Sequence, residues 1–356
     1  MSNARREFLL ELENVKGSVG LEIGPLNKPL VKKEELENDG EIFYLDHLST
    51  EELQEKYKDE ASVKTDEIVS VDFVCRDGDI IKATSGHTFD YVVASHMIEH
   101  APNLLLFLSE VHNILKPGGT CVLIIPDKRF TFDVNRPVST FGSVLENFLS
   151  KTTYPSISAV YDHSAMAINA NGHNLWHGIV NADDTRLLAS ENIGWEAAHR
   201  VHKEGRYYDV HVNVFTAESF CSILKKAISH EIVFFEVSKF VDTQVGQIEF
   251  MLQLKKPQNE ANEVVKSRCL ASIPKFEIES ILSPYMPQVK SLSNALENSL
   301  QINVTLQKEL ESLRSHFQNE IAQLQKELKI SQTMLARKSV RLVLSFIDKI
   351  YSLFRK

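Results

Sequence analysis

Short apolar runs alternate with helix-like segments over the first 130 residues of the chain. Five runs have the length and composition of buried strands: Val19–Ile23, Ile42–Leu45, Val71–Val74, Tyr91–Ser95 and Thr120–Ile125. Between them, Ser49–Tyr57 begins with a helix-capping serine, and Asn103–Leu115 places its apolar residues on one face. Strands that alternate with helices in this way favour a parallel sheet that is covered on both faces.

This alternating pattern is interrupted once and then resumes. Residues 130–215 show poor periodicity and are rich in His, Asn, Tyr and Asp. Thr216–Ile228 then predicts a helix, and Ile232–Val237 and Glu249–Leu254 predict two strands that form a hairpin at the sheet edge. We therefore expect an α/β fold with a doubly wound, mostly parallel sheet of seven strands. It would form one domain over 1–255, with 130–215 as an insertion.

The C-terminal hundred residues have a different pattern. Residues 256–289 begin with a polar stretch and are predicted to be a linker, and from 290 to 335 neither Pro nor Gly occurs. Apolar residues recur there at steps of three and four: Leu306, Leu310, Leu313, Phe317, Ile321, Leu324 and Leu328. This spacing predicts a coiled coil with a stutter, which would join copies of the chain into a homo-oligomer. A long helix packed on the globular part is the alternative.

The last segment, 336–356, predicts a basic amphipathic helix. Its basic residues oppose a single acid, Asp348, and they are Arg337, Lys338, Arg341, Lys349, Arg355 and Lys356. One helical face carries the apolar residues Val340, Leu344, Ile347, Tyr351 and Phe354. Such a helix fits an anionic membrane surface or a groove on a partner protein. The alternative is a coiled-coil terminus that folds back onto the core.

Composition narrows the class of protein. The 356 residues carry a net charge of −9, which argues against sequence-independent binding to a nucleic-acid backbone. None of the four cysteines lies in a CxxC pair, so neither a disulfide framework nor a cysteine-based zinc site is expected. The N-terminus does not resemble a signal peptide, and no long uncharged apolar run occurs. We expect a cytoplasmic protein, with the basic tail as its point of peripheral contact with the inner membrane.

The strongest chemical signal lies at the ends of the first two predicted strands. Gly24 ends the first strand and lets backbone approach a ligand, and Asp46 ends the second, where a carboxylate can accept both hydroxyls of a ribose. The dinucleotide fingerprint GxGxxG is absent, and Pro25 and Pro29 interrupt the helix start that would bind a pyrophosphate. These features predict a cofactor that has a ribose but no phosphate.

Four motifs together resemble the class I S-adenosylmethionine-dependent methyltransferases, in particular the bacterial group with the pattern "EH…LKPGG". They are EIGP, an acid at the end of strand two, FDYVVASHMIEHAPN at 89–103 and ILKPGGTCVLIIPD at 114–127. The resemblance covers about 15–130 and 208–255, and it does not cover 256–356. It implies a Rossmann-like methyltransferase fold and S-adenosylmethionine as the cofactor.

The resemblance also implies which residues contact the cofactor. They are Glu22, Gly24, Pro25, Asp46, Asp72, Phe73 and Ser95. Among these, Asp46 would hold the ribose, and Asp72 and Phe73 would lie beside the adenine. Most members of the family carry a second glycine where this chain has Leu26, which implies a different path for the first loop.

Methyl transfer to a hydroxyl needs alignment of the reacting atoms and profits from a general base. The candidates for that base near the strand ends are His96, Asp127 and His211, and Arg129 and Asp209 are candidates for binding the acceptor. A metal site is not expected. The histidine pairs that raise the question are His173 with His177 and His199 with His202, and substrate or surface hydrogen bonding explains them more simply.

The sequence therefore predicts an enzyme that methylates a small polar acceptor, with a hydroxyl of a sugar or of a cell-surface glycan intermediate as the first expectation. An alternative is a cofactor-binding scaffold or regulator without turnover, which acts in polysaccharide assembly through its coiled coil. A nicotinamide-dependent oxidoreductase is disfavoured by the loop GPLNKP.

Overall fold

The computed structural model describes residues 3–12, 15–37, 39–169, 172–177, 191–205, 208–258, 263–276 and 339–353, together with Arg314 and Gln318. The chain forms two units, Met1–Pro287 and Gln288–Lys356. The first unit contains the sheet and the candidate site.

A single seven-stranded sheet forms the centre of the first unit. Its strands are β1 (Val19–Ile23), β2 (Glu41–Asp46), β3 (Phe73–Val74), β4 (Phe89–Ser95), β5 (Leu115–Pro126), β6 (Glu236–Val241) and β7 (Glu249–Lys255). They lie in the order β3-β2-β1-β4-β5-β7-β6. The first five run parallel, and β7 pairs antiparallel with both β5 and β6. The predicted mostly parallel sheet with a hairpin at its edge is confirmed, and this is the strand order of a Rossmann-like methyltransferase.

The described residues also form α-helices. They are α1 (Asn3–Leu10), α2 (Thr50–Lys56), α3 (Ile80–Ala83), α4 (Leu104–Ile114), α5 (Phe141–Leu149), α6 (Ile157–Met166), α7 (Gly172–His177), α8 (Glu191–Glu204), α9 (Ala217–Ser229), α10 (Glu263–Ser272) and, in the second unit, α11 (Ser339–Leu353). Ser49 and Thr216 form capping boxes at the starts of α2 and α9, and Asn103 caps α4. These polar caps satisfy amide groups that a helix start otherwise leaves unpaired, so the predicted starts are confirmed.

The two faces of the sheet bury separate apolar cores. On one face Leu21, Val92 and Phe250 belong to a large cluster that also includes the inner sides of α4 and α9. On the other face Tyr91 and Val93 belong to a smaller cluster with residues of α1. Successive strand residues point to opposite faces, so burial on both sides makes the central strands apolar throughout. Each fully buried large side chain contributes roughly 1.5–3 kcal/mol of transfer free energy.

Three sequence predictions differ from the structure at their boundaries. The sixth strand is Glu236–Val241 rather than 232–237. Val233 and Phe235 are apolar because they pack in the core before the strand begins. The fifth strand begins at Leu115 rather than Thr120, and it contains Gly118 (φ +82°) beside an irregularity in its pairing with β4. In the predicted linker, residues 263–272 form helix α10, which packs on the main core through the buried Cys269.

The segment between β5 and α9 folds into helices that pack on each other. Val160 of α6 and Ala197 and Val201 of α8 form a small apolar cluster of their own with Val210. Gly194 of α8 lies so close to α6 that an added Cβ would be 2.8 Å from the Cβ of Ala165. A separate small core is what an insertion needs in order to fold beside the main sheet.

The predicted coiled coil at 290–335 lies outside the described residues, apart from Arg314 and Gln318, and stays a prediction. The helical character predicted for the tail is present in α11. On that helix Leu344 is 57% exposed and Tyr351 is 67% exposed. Within the described part of the chain, α11 and the other helices are all too short or too polar to cross a membrane.

Candidate functional site

The carboxyl ends of β1 and β2 bring Gly24 and Asp46 together. The Gly24 amide donates a hydrogen bond to the carbonyl of Leu45, the neighbour of Asp46, at 2.9 Å. Gly24 has φ +69°, and a Cβ there would lie 3.3 Å from Cγ of Met97. A glycine is therefore needed both for the backbone conformation and for the close approach.

Leu26 corrects one expectation. The family glycine is missing at this position, so the sequence predicts a different path for the loop, yet Leu26 has φ +51°. This left-handed conformation is one that glycine adopts freely and that costs a leucine roughly 1–2 kcal/mol. The carbonyl of Leu26 accepts the amide of Val69 at 3.0 Å, which helps to hold the strained residue in place.

Glu22 fixes the far end of the same loop from inside the protein. Its side chain is 2% exposed, and its carboxylate accepts the amides of Leu30 at 2.8 Å and Val31 at 3.2 Å. Burial raises the pKa of Glu22 to about 7, although these two hydrogen bonds lower it. Its visible partners belong to the loop, so Glu22 shapes the cofactor site, and direct contact with the cofactor stays a prediction.

Asp46 is buried at the end of β2, as the ribose role requires. Its Oδ1 accepts the amide of His47 at 2.7 Å and lies 2.6 Å from His47 Nδ1. The described contacts of this side chain involve one carboxylate oxygen. The carboxylate is thus oriented by its neighbour at the edge where the ribose is expected.

Asp72 and Phe73 do not lie where the sequence places them. Asp72 precedes β3, its Oδ2 accepts the amide of Tyr44 at 2.9 Å, and it pairs with Lys33 at 3.0 Å. The Phe73 ring packs against Phe43 with centroids 5.4 Å apart. The β3 strand begins at Phe73, two residues after the start of the predicted run, and both end at Val74, so Asp72 and Phe73 lie before its carboxyl end.

The residues that follow β3 were missed by the sequence analysis. A surface depression there is lined by Val74, Arg76, Asp77, Lys82 and Ala83. Asp77 pairs with Lys82 at 3.1 Å, and the hydrogen bond from Lys82 lowers the pKa of Asp77. In the sequence, these residues could have been found as the polar run that directly follows the apolar run ending at Val74. By the resemblance, the adenine would lie here.

Ser95 and His96 end β4 in the middle of the sheet. His96 has φ +51°, and its Nε2 lies 2.6 Å from Oε2 of Glu249, the first residue of β7. Arg5 of α1 donates to the other Glu249 oxygen at 2.6 Å and lies 3.1 Å from the His96 ring. Burial raises the pKa of Glu249, but the hydrogen bonds from His96 and Arg5 outweigh it and lower that pKa overall.

Asp127 and Arg129 pair with each other. Asp127 is fully buried, and its carboxylate accepts Nη2 of Arg129 at 2.6 Å and the hydroxyl of Thr243 at 2.8 Å. Arg129 also donates through Nε to both carboxylate oxygens of Asp127, each at 3.0 Å. A carboxylate closed off from solvent and bonded to three or more donors suits a structural role, not the general base that the sequence predicts. Arg129 likewise fits a structural role better than acceptor binding.

His211 lies in a second group of polar residues behind His96. Its Nδ1 is 2.5 Å from Oδ2 of Asp133, whose Oδ1 accepts Arg136 at 2.7 Å. Arg136 also donates to the carbonyl of His211 at 2.8 Å. Burial raises the pKa of Asp133, but His211 and Arg136 outweigh it and lower that pKa.

Asp209 joins this group to α2. Its Oδ2 accepts Nζ of Lys56 at 2.7 Å and its Oδ1 lies 2.9 Å from His100 Nδ1, without the geometry of a hydrogen bond. Burial alone would lower the pKa of His100, but Asp209 and Glu99 outweigh it and raise that pKa. Glu99 and His100 follow β4 and reach the acceptor side, which the sequence analysis did not predict for them.

The described residues contain one group that offers ligand atoms for a metal ion, Glu99, His100 and His211. In this group His211 meets two residues that follow β4. The side chains of His173 and His177 lie outside the described residues. His199 packs its ring on Trp195 at 4.4 Å.

A family model and several solved structures resemble this chain. The family model described as "Methyltransferase domain" matches residues 47–227. No curated protein matches the chain. Among solved structures, a SAM-dependent methyltransferase from Aquifex aeolicus is 12% identical with a TM-score of 0.36 and covers 71% of this chain and 89% of its own. One from Methanosarcina mazei is 14% identical with a TM-score of 0.36, covering 71% of this chain and 98% of its own.

The carbon methyltransferase of CurJ is 14% identical with a TM-score of 0.33, and 70% of this chain covers 51% of that chain. This chain thus spans about half the length of that protein. Since the family model matches half of the chain, and since the strand order is that of the Rossmann-like methyltransferases, the chain belongs to the methyltransferase-domain family and its cofactor is S-adenosylmethionine.

Proposed function

We propose that this enzyme transfers the methyl group of S-adenosylmethionine to a hydroxyl of a small polar acceptor, a sugar or a glycan intermediate. The observation that supports a hydroxyl acceptor is the 2.6 Å contact between His96 Nε2 and Glu249 Oε2. A carboxylate can only accept a hydrogen bond, so in the tautomer that we propose Nε2 of His96 carries the proton and Nδ1 is left to accept one. A carboxylate that orients a histidine in this way is a recurrent arrangement for a general base.

S-adenosylmethionine supplies an electrophilic methyl carbon on a positively charged sulfur. The residues of the chain then have to align the acceptor oxygen and remove its proton. Gly24 leaves room at the end of β1, Asp46 ends β2 and is proposed to hold the ribose, and His96 follows the adjacent β4. Alignment of this kind accounts for most of the rate enhancement in a displacement reaction.

Polar and aromatic side chains near His100 and His211 favour a hydroxylated acceptor. Asp209, Lys56 and Tyr57 form one hydrogen-bonded group, and the Phe132 ring packs on His211 with centroids 4.7 Å apart. Sugars present hydroxyl groups together with apolar C–H faces, and such a mixture of groups can bind both. The acceptor class is proposed on this chemical match.

The enzyme is proposed to meet its acceptor at a membrane surface through α11. Leu344 and Tyr351 are exposed on this helix, and the segment around it is basic. Exposed apolar residues with flanking Lys and Arg bind anionic lipid surfaces. We expect the full chain to sediment with vesicles that contain anionic phospholipid. The double substitution Leu344→Glu and Tyr351→Glu should abolish sedimentation, and equal sedimentation of both proteins contradicts this proposal.

An acceptor screen tests the proposed function. The purified enzyme is incubated with S-adenosylmethionine labelled in its methyl group and with separate panels of free sugars, nucleotide sugars and lipid-linked sugars. The label in each product is then counted. We expect transfer to at least one hydroxylated acceptor, and a loss of about 10²–10⁴-fold in kcat for His96→Asn. Asparagine tolerates the positive φ of this position. The exposed His230→Asn serves as the control variant and should retain activity.

Transfer to thiols or amines alone would contradict the proposed acceptor class. Full activity of His96→Asn on a hydroxyl would contradict the role of His96. Binding of S-adenosylhomocysteine, measured by calorimetry, shows in each case whether the cofactor site is intact.

A further inference from the structure

We propose that Glu99, His100 and His211 bind one divalent transition-metal ion beside the methyl-transfer site. One ligand atom from each of the three residues lies within 4.8 Å of the others. Two imidazoles and a carboxylate are a donor set that Zn²⁺, Mn²⁺ and Fe²⁺ accept. Metal–ligand bonds of roughly 2.1 Å hold ligand atoms roughly 3–4 Å apart, so the side chains would need to close by about an ångström.

Glu99 is the residue that points most directly to a cation. It is 1% exposed, and neither of its carboxylate oxygens has a hydrogen-bond partner among the residues that the structure describes. Its nearest ion-pair contact, between Oε1 and Nδ1 of His96, is 3.8 Å long and too long for a hydrogen bond. A buried carboxylate without partners is costly, and a bound metal ion removes that cost.

The backbone of Glu99 brings His211 to this position. The Glu99 carbonyl accepts the amide of Val212 at 2.7 Å and the amide of Asn213 at 2.9 Å. The Asn213 side chain in turn donates to the carbonyls of Ile98 and Ala101, at 3.2 Å and 2.8 Å. The chain that follows the insertion is therefore clamped against the end of β4, which fixes His211 beside Glu99 and His100.

Both histidines have carboxylate neighbours of the kind that orient metal ligands. Asp133 accepts Nδ1–H of His211 at 2.5 Å, which leaves Nε2 of His211 as the ligand atom. Asp209 Oδ1 lies 2.9 Å from Nδ1 of His100 and is itself held by Lys56. Asp133 thus fixes the orientation of the His211 ring and raises its basicity, and Asp209 lies close enough to do the same for His100 once a hydrogen bond forms on metal binding.

This inference rests on the proposed function. In it, the metal ion binds a hydroxyl of the acceptor. A hydroxyl of the acceptor that binds the ion becomes more acidic, because the cation stabilises the developing alkoxide. That hydroxyl gives its proton to His96 Nδ1, and its oxygen forms a bond to the methyl carbon. The carbon–sulfur bond breaks with its electron pair remaining on sulfur, which yields S-adenosylhomocysteine. An acceptor with two neighbouring hydroxyls could chelate the ion.

Metal binding is tested on the full-length protein without any acceptor. The chain is stripped with a chelator and titrated by calorimetry with ZnCl2 and, separately, with MnCl2. We expect about one ion per chain for at least one of the two metals, and at least a tenfold loss of affinity in Glu99→Gln and in His211→Gln. Asp133→Asn should weaken binding by roughly 10–100-fold, as substitutions behind a metal ligand do. His230→Gln is the control and should bind as the wild type does.

A second measurement keeps the inference testable if the variants fold poorly. Co²⁺ added to the stripped wild type should give visible absorption bands of a nitrogen- and oxygen-ligated site, which stoichiometric Zn²⁺ then displaces. Absence of stoichiometric binding by the wild type, or wild-type affinity in both Glu99→Gln and His211→Gln, would overturn the inference. If S-adenosylhomocysteine binding and methyl transfer persist in the stripped protein, the metal site fails while the proposed function stands. If the protein binds the metal but transfers the methyl group to no hydroxyl, the metal site stands and the proposed function fails.

Discussion

Lys56 Nζ lies 2.7 Å from Asp209 Oδ2, and this contact joins α2, the helix after β2, to the chain that leaves the insertion. On one side, Lys56 lies 3.3 Å from His47 Nε2, and His47 contacts Asp46. On the other side, Asp209 lies beside His100. A continuous polar network therefore runs from Asp46 at the end of β2 to His100 after β4.

Lys56→Met should loosen this network with a small effect on stability. Lys56 and Asp209 are both partly exposed, so we expect a loss of about 0.5–1 kcal/mol in the free energy of unfolding by urea. The KM for the acceptor should rise, whereas S-adenosylhomocysteine affinity should change less than threefold. Lys58→Met, which removes an exposed ion pair with Glu55, is the matched control and should change neither. An equal effect of both variants on acceptor KM would speak against the network.

Asp46→Asn tests the ribose contact. Two charge-assisted hydrogen bonds are worth roughly 1.5–3 kcal/mol each, so the affinity for S-adenosylhomocysteine should fall by at least 100-fold in calorimetry. Asp72→Asn is a matched control, because the structure directs that carboxylate to Tyr44 and Lys33. We expect less than a twofold change for Asp72→Asn. The assignment of the ribose site to Asp46 is wrong if the two variants lose affinity equally.

Gly24→Ala separates backbone strain from space for the ligand. Gly24 and Gly246 both have positive φ, but only Gly24 has a neighbour near the position of an added Cβ. Both alanine variants should lose about 1–2 kcal/mol in the free energy of unfolding. Only Gly24→Ala should lose affinity for S-adenosylhomocysteine, by about tenfold or more. Wild-type affinity in Gly24→Ala would show that the cofactor does not approach this backbone.

Glu22 makes the stability of the fold depend on pH. Its pKa is about 7 in the folded chain against an ordinary value of 4.5, so the folded state binds the proton more tightly than the unfolded state. The stabilisation from this group is fully present below pH 4.5 and is lost as pH rises through 7. Because each tenfold change in proton affinity corresponds to about 1.4 kcal/mol, the loss amounts to about 3 kcal/mol.

Glu22→Gln should remove that dependence. Urea unfolding of the wild type and the variant, both without cofactor, is measured at pH 5 and at pH 8.5. The free energy of unfolding of the variant relative to the wild type should rise by about 3 kcal/mol between the two pH values, because all other titrations are shared. A difference between the two proteins that stays constant with pH means that Glu22 is not the group responsible.

The strand ends explain how much of this molecule the sequence could predict. Apolar runs marked the strands because the central sheet is buried on both faces, and a parallel sheet brings strand ends such as Gly24, Asp46 and His96 to one edge. Val233 and Phe235 were assigned to a strand because burial in a core and burial in a sheet select the same residue types. Periodicity cannot separate these two causes.

Contacts between distant parts of the chain left no local pattern. Glu249 orients His96 from 153 positions away, and His211 reaches Glu99 only after a long insertion. Asp127 and Arg129 were predicted as site residues because polar residues after a strand suggest a site. In the structure they form an ion pair with each other. Polar residues at a strand end thus locate the edge of a site, while the side chain that completes each pair has to be seen in the fold.

The role of Glu249 can be distinguished from simple packing by comparing two substitutions. Glu249→Gln keeps the size of the side chain and can still accept the Nε2 hydrogen of His96, but it loses the negative charge that stabilises a protonated His96. We expect kcat to fall by about 10–100-fold, with acceptor KM and S-adenosylhomocysteine affinity nearly unchanged. Arg5→Lys keeps the positive charge beside Glu249 and should lower kcat much less. If instead Glu249→Gln lost cofactor affinity and kept kcat, Glu249 would be a structural residue, and the base would have to be sought at His211.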